Sequence, residues 1–175
     1  MLHVFIVVVI GSRQCMWNER PAVNDSEQVM DGSCLTFKVG EELYGLDILS
    51  VREVLRADGV QHLPGAESPV VGLMELRGDV LPVVDLGLWL SQSSLEANDS
   101  RRLIVMEDQH ECICLLVDEV AEVMVLSDGQ ADSVPAMGSS LSQEGEKIAQ
   151  LVHFGDRTVM ILDMERLVGA LQCRS

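Results

Sequence analysis

From residue 34 onward, short apolar runs alternate with polar and glycine-containing breaks. Period-two alternation bounded by turn residues marks strands. Cys34–Val39 alternates and stops at Gly40-Glu41-Glu42, and Leu43–Ile48 returns as its hairpin partner. Val51–Leu55 follows, then turn residues at Asp58-Gly59 and Leu63-Pro64-Gly65. Ser68–Val71 reads as a single helical turn with Pro69 at its first position. Leu73–Arg77 and Val80–Val84 flank Gly78-Asp79 and predict a second hairpin. Asp85 and Asp163 each end a strand and are placed to cap the short stretches LGLWL and MERLVGAL. Leu103–Met106, Glu111–Val117, Val120–Leu126, Ile148–Phe154 and Thr158–Leu162 complete the strands, the last two around a Gly155-Asp156 turn. Residues 91–101 read as a polar linker and 127–146 as a long polar loop. Short strands at this spacing point to an all-β sandwich or barrel.

The pattern also repeats. Val51-Arg52-Glu53-Val54 returns as Val120-Ala121-Glu122-Val123, and GDVLPVVDL from Gly78 returns as GDRTVMILDM from Gly155. Two matched elements in the same order imply two similar β-units in tandem.

Composition narrows the function. Hydrophobic residues make up 47% of 175 residues, enough for a globular core. Lys plus Arg number 12 against 28 Asp plus Glu, a formal charge of −16. Phosphate affinity comes from clustered cations, so duplex DNA, general RNA and anionic membrane surfaces are disfavoured partners. Six aromatics are too few for a base-stacking platform. A charged partner surface is expected to be basic.

The first ten residues, MLHVFIVVVI, are almost wholly apolar, too few to span a bilayer and without the cation that opens a secretory signal. Residues 11–32 are polar and irregular. Residues 1–33 are therefore expected to be a poorly ordered extension, and the start of translation is expected at Met16 or Met30, with the apolar decamer an over-extended reading frame. The competing reading is a weak membrane or partner anchor.

Candidate chemistry is sparse. No GxSxG, Walker, HExxH or GxGxxG motif is present. Five scattered cysteines do not make a disulfide framework and fit a reducing compartment. His110, Cys112 and Cys114 share one face of a strand, yet lack the paired short-spaced ligands of a zinc site. The expectation is no metal, no cofactor and no enzymatic activity. Arg77 is the only cation between Arg56 and Arg101 and stands beside a glycine turn. It is either an arginine covering apolar surface or an interface anchor.

FKVGEELYGLDILSVREVL (37–55), LPGAESPVVGLMELRGDVLPVVDL (63–86), LLVDEVAEVMVL (115–126) and VMILDMERLV (159–168) together resemble the CheW family of chemotaxis coupling proteins. The resemblance implies a mainly β fold of two SH3-like five-stranded β-barrels packed together, with short helical turns only, over residues 34–172. It implies a cytoplasmic, non-catalytic adaptor joining chemoreceptor cytoplasmic tips to the regulatory domain of a CheA-type histidine kinase. Carried onto this chain, the partner-binding residues would be Val51, Glu53, Gly72, Arg77 and Gly78. Glu53→Ala and Arg77→Ala are then expected to weaken recruitment while barely moving the thermal midpoint. One departure stands out: Glu75 replaces the family's usual Asn. That carboxylate, two residues from Arg77 on the same expected strand face, is placed to change how Arg77 pairs. The alternative function is a β-barrel interaction module with an unrelated peptide or small-molecule ligand.

Overall fold

The computed structural model describes residues 32–90, 99–108, 111–126, 131–133 and 147–172. The strands are β1 (Ser33–Val39), β2 (Glu42–Asp47), β3 (Val51–Arg56), β4 (Gln61–His62), β5 (Val70–Leu76), β6 (Asp79–Asp85), β7 (Arg102–Asp108), β8 (Glu111–Val117), β9 (Glu119–Val125), β10 (Ala131–Ser133), β11 (Ile148–Phe154) and β12 (Arg157–Leu162). Two helices, α1 (Leu86–Trp89) and α2 (Met164–Gln172), follow β6 and β12. Of the expected N-terminal extension, residues 1–31 lie outside the described residues while Ser33 already belongs to β1, paired with Val125, and most of the 91–101 linker lies outside them too. So does the 127–146 loop, apart from β10.

The strands form two sheets, ordered β10-β11-β12-β2-β1-β9 and β3-β7-β8-β6-β5-β4. The tandem repeat gives this arrangement its logic. Numbering each half from its first strand, β1–β6 correspond to β7–β12, and the second sheet reproduces the order of the first. The initial hairpin is exchanged: β1 and β2 complete the sheet of β9–β12, while β7 and β8 complete the sheet of β3–β6. Both joins are parallel, β12 to β2 and β6 to β8.

The sheets are open and six-stranded, which corrects the expectation of two closed five-stranded barrels. Among the described residues no ladder joins β3 to β4 or β9 to β10. These inner ends, β4 and β10, are two and three residues long. So short a strand offers only one or two ladder bonds and terminates a sheet more readily than it zips one shut.

Burial explains the sequence pattern. Leu103–Met106 and Ile113–Val117 are buried without alternation, because β7 and β8 lie centrally in their sheet with both faces covered. Phe37, Leu46, Val83, Leu86, Ile104, Leu115 and Leu167 belong to one core drawn from both sheets and both helices. Cys34, Leu126, Val152, Val159 and Ile161 form a second, smaller cluster. Phe37 and Tyr44, directly paired across β1 and β2, stack with ring centroids 6.2 Å apart.

Both expected caps are present. Leu88 N–H donates to Asp85 Oδ1 at 3.2 Å and Arg166 N–H to Asp163 Oδ1 at 3.1 Å. Two local expectations change. Residues 68–71 are not a helical turn: Ser68-Pro69 is a cis peptide within a turn, and Val70 already belongs to β5. The second hairpin turns on Arg77-Gly78, not Gly78-Asp79, because Leu76 pairs with Asp79.

Candidate functional site

The β5–β6 turn sets the geometry. Arg77 has φ 55° and Gly78 φ 95°, the two positive values that a type I′ hairpin turn demands. Arg77 is the only non-glycine residue with positive φ among those described. Such a conformation is uncommon for a side chain other than Asn, Asp or His, and persists where surrounding interactions hold it.

The β5–β6 pairing of Leu76 with Asp79 imposes this conformation here, and the Arg77 side chain reaches Glu53. Arg77 Nη2 donates to Glu53 Oε2 at 3.2 Å, from a side chain 67% exposed to one 18% exposed. Glu53 lies on β3, at the opposite end of the sheet order from β4-β5, so the sheet curls enough for a side-chain bridge where no ladder forms. The second carboxylate oxygen, Glu53 Oε1, is buried without a hydrogen-bond partner. A buried acceptor left unpaired is costly, so the carboxylate depends on its one guanidinium.

The other expected site residues separate by depth. Val51 is 6% exposed, paired with Met106, and packs in the main core. Gly72 is buried, and a Cβ there would collide with the Gln61 carbonyl of β4. Its role is the close approach of β4 to β5. Glu53 and Arg77 meet through their side chains, Gly78 follows Arg77 in the same exposed turn, and Val51 and Gly72 are buried. Glu75 does not pair with Arg77; it lies on β5 opposite Val80.

Sequence reasoning missed a second bridge. Arg157, just after the β11–β12 turn, donates to Glu122 Oε1 of β9 at 2.9 Å. Glu122 is the repeat counterpart of Glu53, and each pairs with an arginine at the tip of the equivalent hairpin. The Val-x-Glu-Val repeat carried that signal; the partner arginine is displaced by three residues in the alignment of the two hairpins, which hid it.

The two thiols of the β8 row have different surroundings. Cys112 receives Arg52 Nη1 at 3.5 Å, and Arg52 also lies 3.9 Å from Glu107. Cys114 is buried, and burial pushes its thiol up to about 11. His110 lies outside the described residues. Among the described residues no three His, Cys, Asp or Glu side chains gather in a way that could hold a metal ion. No helix among them is long and apolar enough to cross a membrane.

Two interlocked β-sheets bearing an arginine fixed on a hairpin tip define a protein-interaction module. Residues 33–172 match the model of the CheW-like domain, and the chain belongs to that family. It is 28% identical over 153 residues to the chemotaxis protein CheW of Treponema pallidum, covering 85% of this chain and 86% of that protein. It is also 28% identical over 136 residues to the CheW of Klebsiella aerogenes, covering 78% and 81%. Its fold is similar to the crystal structure of the scaffolding protein TtCheW from Thermoanaerobacter tengcongensis, with a TM-score of 0.68 and 25% identity over 77% of this chain and 90% of that one. Family membership makes the protein a non-catalytic chemotaxis adaptor.

Proposed function

We propose that the protein joins chemoreceptor cytoplasmic tips to the regulatory domain of a CheA-type histidine kinase in the cytoplasm, and that residues 34–172 are the working unit. The adaptor holds two partners at high effective concentration and makes or breaks no covalent bond. Glu53, Arg77 and Gly78 contribute the contact surface, while Val51 and Gly72 act from beneath by fixing β3 and the β4–β5 approach.

The observation that carries this reading is the Glu53–Arg77 bridge. It presents a guanidinium on a two-residue turn that leaves it little freedom, and a pre-ordered arginine loses less entropy on binding than a free one. The overall negative charge supports basic partner surfaces around that point.

Reconstitution of the full chain with a soluble receptor fragment and the kinase tests this reading. A ternary complex is expected, and Arg77→Glu is expected to reduce it severely. A chain that binds neither protein overturns the coupling role and favours an interaction module with an unrelated ligand.

A further inference from the structure

β9 is the outer strand of its sheet, and its free side is open. Leu126 N–H donates to the Gly32 carbonyl at 2.7 Å. The Thr36 hydroxyl donates to the Glu122 carbonyl at 2.7 Å and accepts from the Glu122 N–H at 3.2 Å. An antiparallel ladder alternates, so Leu126, Met124 and Glu122 turn their main chain toward β1, and Val123 and Val125 turn theirs away. Among the described residues no strand pairs with that side. Val123 is 38% and Val125 69% exposed, while Leu126 is buried and Met124 packs against the same small core. The edge therefore carries apolar side chains on both faces, and the carboxylate of Glu122 is engaged by Arg157. The other sheet shows how such an edge is blunted. Its outer strand, β3, has Arg52 and Arg56 at the positions where the repeat places Ala121 and Val125 in β9. An apolar edge left open is a template for a further strand.

We infer that residues 4–10 of the same chain, VFIVVVI, add to β9 as a further strand. Position, reach and composition select this occupant. The Leu126–Gly32 bond puts the point where the preceding chain enters the fold at the C-terminal end of the open edge. Residues 11–31 lie between, up to about 70 Å of extended chain, against about 23 Å for the seven residues of β9. The segment is apolar throughout and mostly β-branched, so as a strand it is apolar on both faces, like the edge it meets. It carries no charge, so its docking adds nothing to the self-repulsion of a chain of charge −16. A strand tethered this closely has an effective concentration on the order of millimolar, which keeps the contact within one chain. The inference gives the apolar decamer a place beside the fold, against the expectation of an over-extended reading frame, and it is independent of the coupling role. An edge so covered is no longer a template for other copies.

Residue-resolved amide hydrogen exchange tests this on three proteins: the full chain, a chain that starts at Met16, and the full chain with Val7→Pro and Val8→Pro together. In either register one of the two prolines falls on the paired side of the added strand and removes a ladder N–H. Val123 and Val125 should exchange at least about tenfold more slowly in the full chain than in either variant, and equally so at protein concentrations about a hundredfold apart. The amides of Ile104 and Leu115, in the centre of the other sheet, should exchange alike in all three. Fast exchange at Val123 and Val125 in the full chain overturns the inference. Equal protection in all three proteins also overturns it, because another part of the molecule then covers the edge. Protection lost on dilution does the same, because the occupant is then a second copy. Intact mass of the protein from its native cells is the last arm: a chain that retains residues 4–10 supports the inference, and one that lacks them overturns it.

Discussion

Glu122 on β9 is bridged by Arg157 at 2.9 Å, and the pair occupies in one sheet the place that Glu53 and Arg77 occupy in the other. In each sheet an edge strand is tied to the tip of a hairpin several strands away by one carboxylate and one guanidinium. The bridges differ in burial. Glu53 is largely enclosed, whereas Glu122 and Arg157 are both about half exposed. Double-mutant cycles should separate them. Glu53→Gln with Arg77→Gln is expected to give a coupling of about 1 kcal/mol in denaturant unfolding, and Glu122→Gln with Arg157→Gln within roughly 0.5 kcal/mol.

The backbone of Arg77 gives a second test. Arg77→Ala removes the partner of an enclosed carboxylate and keeps the unfavourable positive φ, so a loss of about 1–2 kcal/mol is expected. This revises the sequence-based expectation that the thermal midpoint would barely move. Arg77→Asn should lose less, because Asn tolerates φ 55° at this turn position. Equal melting losses for the two variants would show that backbone conformation plays no part.

Two glycines should respond in opposite directions to alanine. Gly72→Ala drives a Cβ into the Gln61 carbonyl, main chain against main chain, and should cost about 1–3 kcal/mol or more. Gly169→Ala, within α2 and with open space around it, should stabilise by about 0.5–1 kcal/mol. Thermal melts of both variants check the pair.

The thiols predict both a labelling order and a pH limit. Cys34 and Cys114 are buried and their thiols are pushed up, chiefly by desolvation, Cys114 to about 11. Half-buried Cys112 should therefore react with maleimide before either of them. A raised folded value means that the unfolded chain ionises first. The associated stability is present below the ordinary thiol value of 9.0 and declines as pH rises from there toward 11. Cys114→Ser should flatten that alkaline decline, read as unfolding midpoint against pH.

The strands, both helix caps and the repeat were legible because each rests on local chemistry: alternation, a carboxylate before a helical turn, and a glycine turn feeding an apolar strand. Closure and register were not local. Whether a sheet closes depends on its end strands, and β4 and β10 are too short to leave a period in the sequence. The turn at Arg77-Gly78 was misplaced by one residue because arginine is a poor candidate for positive φ; the pairing of Leu76 with Asp79, which the local pattern does not reveal, imposes that conformation. For the site, the resemblance gave Glu53, Arg77 and Gly78 as separate positions, and the bridge between Glu53 and Arg77 emerged only from the structure. The depth of Val51 and the bridge at Glu122 required the third dimension.

The exchanged hairpins make the halves of the chain mutually dependent for folding. A polypeptide ending at residue 90 keeps β1 and β2 but lacks β9 and β12, the strands they pair with in the other sheet; its own β6 loses β8. The complementary piece, beginning at residue 99, has the mirror-image deficit. Neither fragment should fold alone, yet mixing them should regenerate one species that unfolds in a single cooperative calorimetric transition. Two separate transitions in the intact chain would mean that each sheet is stable without the strands lent to it.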